Sequence, residues 1–302
     1  MSKKVKVLII VGGGIYGCIP AHFLSMVPEE EGKRPLQGID CISGCSIGGI
    51  LALAYASGGT FASVDRIFRE NADRCFCKRA IAYVNPLANP TYRGDKLDEV
   101  LEDILSTYKV QDIRSFYPDL DVVVPALNIT DDKYKVFNNI ADDDQTVPLK
   151  DIAAFTSAAP SYFPGREFKG KCIIDGGLIE VAPLMTTVTA LKSLRGIEFK
   201  DMDVLMLGTG KDISDKPITY EKYESMTLLD LATDIILPYV TFSNELATVY
   251  WGNNMGFNSF NYFNPCKHNG DLADVDAIPR CINQCKRYKD DFLDAWNNWL
   301  SN

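Results

Sequence analysis

Residues 5–11 form a nearly continuous apolar run, rich in β-branched side chains and of strand length. That pattern predicts a strand covered on both faces, as in a parallel sheet. Similar but shorter runs at residues 39–42, 172–174 and 204–207 predict further strands, and residues 120–129 predict one paired with residues 134–137 across a polar turn. Between them the period changes. Residues 49–56 and 61–71 read as helices, and Leu97, Val100, Leu101, Ile104 and Leu105 recur at helical spacing between acidic residues over 94–108. Residues 149–159 predict a short helix stopped by Pro160, and Pro183 opens another that runs to residue 194. The stretch 226–253 is apolar and helical in pattern, with a kink expected at Pro238 and a place in the core, or, alternatively, in the wall of an acyl channel. Residues 257–263 read as a strand. Pro279 opens a closing amphipathic helix to about residue 299, with Ile282, Phe292, Leu293 and Trp296 on its apolar positions.

Strands alternating with helices make this an α/β chain, a central, mostly parallel sheet flanked by helices. With 302 residues and 46% apolar content it can bury a large core. No repeat, low-complexity tract or linker divides it. A single domain over 1–302 is expected, with the motifs in about 5–210 and a helical portion over about 215–302.

Charge and cysteine content narrow the functions. A net charge of −9 supplies no basic footprint for nucleic acid and opposes adsorption to anionic membranes, which leaves only transient, apolar membrane-surface contact. Nine scattered cysteines, an odd number, read as reduced thiols of a cytoplasmic protein. Cys75 and Cys77, with Cys266, Cys281 and Cys285 downstream, lack the paired spacing of a zinc site, so no metal is expected. No stretch approaches a membrane span, and the N-terminal run reads as a strand rather than a signal peptide.

Two glycine-rich turns carry the candidate chemistry. Gly44-Cys45-Ser46-Ile47-Gly48-Gly49 falls between a strand and a helix, the setting of a nucleophile elbow. An N-cap serine in a tight turn explains the same residues. Gly12-Gly13-Gly14-Ile15-Tyr16-Gly17 also joins a strand to a helix, where bare N–H groups gather positive partial charge. It fits a dinucleotide fingerprint through Gly12, Gly14 and Gly17, hence a dinucleotide-binding oxidoreductase. That reading needs an acid ending the second strand, but Glu29, Glu30 and Glu31 sit in a polar loop. The other reading is an oxyanion hole beside Ser46.

A serine nucleophile needs a base, and the chain has only two histidines, His22 and His268. Asp175, ending a short strand before Gly176-Gly177, is the other candidate, because an aspartate in a dry pocket gains basicity. The two glycine turns resemble, in order and spacing with Thr156-Ser157-Ala158-Ala159-Pro160-Ser161-Tyr162-Phe163-Pro164, Asp175-Gly176-Gly177 and Leu207-Gly208-Thr209-Gly210, the patatin-like phospholipase family of lipid acyl hydrolases.

The resemblance implies a three-layer patatin-like sandwich, Ser46 as nucleophile and Asp175 as base. It also implies an oxyanion hole from Gly12, Gly13 and Gly14 with Ile47, an acyl-enzyme intermediate, a lipid or ester substrate and no cofactor. Tyr162 and Phe163 would shape the pocket, with Tyr16 standing where the family usually carries Arg or Lys. The family's Asp before the glycines and its Asn-Asn before the proline are replaced by Val11 and by Val181-Ala182. Losing the loop cation puts preference for an anionic phospholipid in doubt and leaves a neutral glycerolipid or simple ester open. A non-catalytic lipid-binding or storage protein of the same fold is the remaining alternative. Oligomeric state is left open.

Overall fold

The computed structural model describes residues 4–84, 90–212, 219–227 and 237–301. Strand β1 (Val5–Ile10) sits inside the sheet and shows why the N-terminal run is apolar throughout. Leu8 and Ile10 point into one core and Val7, Ile9 and Val11 into another, so alternate residues bury on opposite faces. β1 pairs in parallel with β2 (Cys41–Gly44) on one side and with β7 (Met202–Leu207) on the other. β3 (Asp121–Asn128) extends the sheet beyond β2, and β8 (Ser259–Phe263) extends it beyond β7, both in parallel. β4 (Lys133–Asn138) and β6 (Lys171–Asp175) run antiparallel to β3, and β5 (Arg166–Phe168) closes that end against β6.

Helices cover both faces. The larger core holds α1 (Cys18–Ser25), α2 (Ile47–Ala56), α3 (Phe61–Cys75), α4 (Gly94–Leu105) and α5 (Leu149–Thr156). The second core packs α6 (Leu184–Arg195) and Val249 of α7 (Leu237–Asn254) on the opposite face. The result is an α/β sandwich with a mostly parallel central sheet, as the residue pattern predicts.

One feature of β3 places the site. β4 takes one edge of residues 123–128, so β2, paired to residues 121–123, and β6, paired to 126–128, share the other edge. They meet end to end. The turn leaving β2 carries Ser46, and the last residue of β6 is Asp175, opposite Ala126. The sequence placed Asp175 at the sheet's carboxyl end, and it arrives there on an antiparallel strand.

In the C-terminal portion β8 falls within residues 257–263, read as a strand from the sequence, and a two-residue ribbon that the pattern did not show pairs Lys267 with Lys211 and His268 with Asp212. The closing helix is two, α8 (Ile278–Arg287) and α9 (Lys289–Ser301), broken at Tyr288. Cys281, Cys285, Phe292, Trp296 and Trp299 form its buried face, whereas Ile282 and Leu293 are only half-buried. In α7, Leu246, Tyr250 and Trp251 are exposed, so this part of the helix is not the core element its composition predicts. The N-terminal part of the stretch containing it, residues 228–236, lies outside the described residues. The kink expected at Pro238 falls at that boundary.

Candidate active site

The elbow is held by contacts that exclude side chains. Ser46 has φ 55° and ψ −128°, a conformation that costs a non-glycine residue on the order of 1–3 kcal/mol. A Cβ on Gly44 would stand 2.1 Å from the Gly48 carbonyl oxygen, and one on Gly48 2.1 Å from that of Ile10. Only glycine lets β2 turn this tightly into α2. Thr156, at the end of α5, fastens the turn: its Oγ1 accepts the Ser46 N–H at 3.0 Å and donates to the Pro125 carbonyl at 2.7 Å. Sequence reasoning noted this threonine in a motif but gave it no role, since nothing local links it to position 46.

Asp175 is buried beside Ser46, which favours its ionised form. The Gly177 N–H donates to Oδ1 at 2.7 Å, and the Cys45 thiol lies 3.6 Å from the same oxygen. Burial dominates its titration. Desolvation raises the pKa from 3.8 to about 6, although Ser46, the Gly177 N–H and the Cys45 thiol favour the ionised form. Burial, reinforced by the neighbouring Asp175 charge, keeps the Cys45 thiol protonated and hence a donor.

The glycine loop divides its amides. Gly12 N–H donates to the Val181 carbonyl at 2.9 Å, so it is not an oxyanion donor as the sequence suggested. Its role is close packing, because a Cβ there would lie 3.2 Å from that of Ser46. The N–H groups of Gly13, Gly14 and Ile47 have no protein acceptor among the described residues, and all three residues line the cavity beside Ser46. Ile47 also opens α2, where the helix dipole adds positive potential.

That cavity, about 570 Å³, reaches from Ser46 and Asp175 between α3 and α4. Phe68, Cys75, Leu97, Val100, Leu101 and Ile104 make an apolar arm. Tyr162, Phe163, Leu178 and residues 270–272 lie nearer the rim. Tyr162 and Phe163 line this cavity, and Tyr16 does not. Its ring is 1% exposed and stacks on His268 with centroids 3.6 Å apart, because position 16 turns away from the cavity into the core. His22 sits 3.1 Å from Asp65, and neither histidine lines the cavity, so a histidine base for Ser46 has no geometric support.

The dinucleotide reading also loses its ground. The Leu272 carbonyl accepts the Ile15 N–H at 2.7 Å, where a pyrophosphate would seat, and β2 ends in the Ser46 elbow instead of a ribose-binding acid. The cysteines once weighed together are apart in role: Cys75 lines the cavity, while Cys266 and Cys285 pack sulfur to sulfur at 3.8 Å.

A profile of the family described as patatin-like phospholipase matches residues 8–188. The chain belongs to that family. This patatin-like chain is 32% identical over 243 residues to the cGAMP-activated phospholipase of Escherichia coli, covering 73% of this chain and 67% of that protein. It is 30% identical over 255 residues to patatin-like protein 1 of Oryza sativa, covering 69% and 59%. VipD from Legionella pneumophila shares the fold, with TM-score 0.51 and 12% identity over 97% of this chain and 67% of that one. As a patatin-like phospholipase, the chain falls in a family of serine lipid acyl hydrolases.

Proposed function

We propose that this chain cleaves fatty acyl esters of lipids with Ser46 as nucleophile and Asp175 as its base. The carrying observation is that Ser46 stands beside a buried Asp175 carboxylate, close enough to favour its ionised form, at the head of an apolar cavity. The acyl chain lies in the arm between α3 and α4, which brings the ester carbonyl to Ser46. Asp175 takes the Oγ proton as Oγ bonds the carbonyl carbon. Negative charge on the former carbonyl oxygen is met by the Gly13, Gly14 and Ile47 amides. On collapse the C–O bond breaks, and Asp175 returns the proton to the departing alkoxide. Water then repeats the sequence on the acyl-enzyme and frees the fatty acid.

The nine free cysteines support a reducing, cytoplasmic setting. Among the described residues no helix is long and apolar enough to cross a membrane, and substrate is drawn from a lipid surface in passing. A fluorophosphonate probe tests the reading. It is expected to label Ser46 in the native chain and to fail in Ser46→Ala, with fatty-acid release lost in Ser46→Ala and Asp175→Asn. Full release by either variant would remove the dyad; lipid binding with no labelling of the native chain would identify a non-catalytic lipid binder.

A further inference from the structure

The rim of the cavity holds a charged group that the hydrolytic steps leave unused. Asp271 lies in the segment that follows the His268 ribbon, beyond the part of the chain matched to the family. Two contacts fix that segment against the glycine loop. The Leu272 carbonyl takes the Ile15 N–H at 2.7 Å, and Gly14, at φ +56°, packs so close that a Cβ would lie 2.3 Å from the same oxygen. Tyr16 supports it from behind, since a Cβ on Gly270 would stand 2.7 Å from the Tyr16 hydroxyl.

The Asp271 carboxylate is oriented on both oxygens. Oδ1 accepts the Ala273 N–H at 2.8 Å, and Oδ2 accepts the Tyr162 hydroxyl at 3.0 Å. Tyr162 is in turn stacked on Tyr92, with centroids 5.9 Å apart. The rim thus presents a fixed carboxylate beside an aromatic ring. Among the described residues that line the cavity the charged side chains are Asp175 and Asp271, and none is Lys, Arg or His. The nearby Arg280 is committed to Asp274 at 3.2 Å.

An acyl chain in the α3–α4 arm and a carbonyl at Ser46 leave the alcohol side of the ester to emerge past residues 270–272. We infer that Asp271 and Tyr162 form a head-group subsite that selects lipids ending in a cationic ammonium, as in choline or ethanolamine phospholipids, over anionic ones. This rests on the hydrolase reading above. A carboxylate attracts the ammonium, a tyrosine face adds cation–π attraction, and an anionic head group meets only repulsion. Head-group charge selection, expected from the sequence at position 16, thereby falls to residues that touch the cavity.

The test measures kcat/KM of the full chain on phosphatidylcholine and phosphatidylglycerol with identical acyl chains, each dispersed in neutral detergent. The expected preference for choline is about fivefold or more at low salt and declines as salt screens the exposed rim. Asp271→Asn keeps the shape, with its Oδ1 still accepting the Ala273 N–H and its Nδ2 now donating to the Tyr162 oxygen, and is expected to bring the two substrates within about twofold; Asp271→Lys is expected to favour the anionic lipid. An unchanged ratio in Asp271→Asn, or a native chain faster on phosphatidylglycerol or diacylglycerol, would overturn the subsite. Fluorophosphonate labelling of Ser46 in the native chain keeps the two readings apart, since its absence would count against the hydrolase and not the rim. Binding of lysophosphatidylcholine and lysophosphatidylglycerol monomers to Ser46→Ala then reads the subsite without catalysis. Equal affinities there would sink it.

Discussion

Asp175 is a carboxylate that the fold makes costly to ionise. Its pKa near 6 against an ordinary 3.8 corresponds by linkage to about 3 kcal/mol of native-state stability. The sign follows from the raised value: the cost is absent below about pH 4, grows as pH rises toward 6, and is complete above it. Asp175→Asn is therefore expected to abolish hydrolysis yet melt higher than the native chain at pH 7.5, with the gain gone near pH 4, as thermal unfolding at the two pH values would show. In the native chain kcat/KM should fall below about pH 6, where the base becomes protonated. A pH profile flat to pH 4.5 would contradict that. Thr156 acts one step back. Thr156→Val leaves the part-buried Ser46 N–H and the buried Pro125 carbonyl without their partner, at about 1–3 kcal/mol for each lost polar pairing. Probe labelling of Ser46 is expected to slow about 10–100-fold, with Thr156→Ser restoring most of it.

At the scale of elements, the site is a product of strand ends and helix faces. The end-to-end arrangement of β2 and β6 on one edge of β3 aims Ser46 and Asp175 at each other without either element bending to do so. The glycine loop adds donors from the end of β1, and its shape depends on the segment pressed against it. Gly14→Ala would force a Cβ into the Leu272 carbonyl, and loss of one correctly placed oxyanion donor costs about 10²–10³ in kcat. Steady-state kinetics with KM little changed would be the mark of that loss. The apolar arm is bounded by α3 and α4, so its length should set chain preference. Leu101→Trp is expected to shift the optimum among saturated p-nitrophenyl esters toward shorter chains, because the indole fills the arm between Phe68 and Ile104. An unaltered chain-length profile would place the acyl group elsewhere.

Across the whole molecule, the C-terminal third holds the same core as the motifs. Trp299 donates its Nε1–H to the Asp203 carbonyl at 2.9 Å, its backbone carbonyl accepts from buried Lys6 at 2.6 Å, and Lys6 pairs with Asp203 at 3.0 Å. These bonds tie α9 to β1 and β7. Phe292 and Trp296 pack against Phe23 and Phe61 in the core under the catalytic face. Trp296→Ala should cost about 3–5 kcal/mol, read as a lower denaturant midpoint with unchanged slope, since a large buried ring leaves a cavity that the neighbours cannot close.

Much of this protein was legible in its residues. Apolar runs gave the strands, since burial on both faces leaves no polar position to mask them, and glycines around Ser46 gave the elbow, since no other residue fits. The residues pointed to the glycine loop and Asp175, but not to how their groups are placed. Whether Gly12 donates or packs depends on the Val181 carbonyl, which is remote in sequence. The same holds for Thr156 on the elbow and for Tyr16, whose direction is set by His268. The exposed face of α7 and the break at Tyr288 escaped the pattern because composition records apolarity and not which neighbour covers it. Sequence by itself determined the α/β order of elements and the residue types able to perform acyl transfer. Tertiary structure alone decided their partners, because β3 brings Ser46 and Asp175 together across 129 positions and a distant loop carries Asp271 to the rim. Contacts between residues far apart in the chain leave no local period from which they could be read.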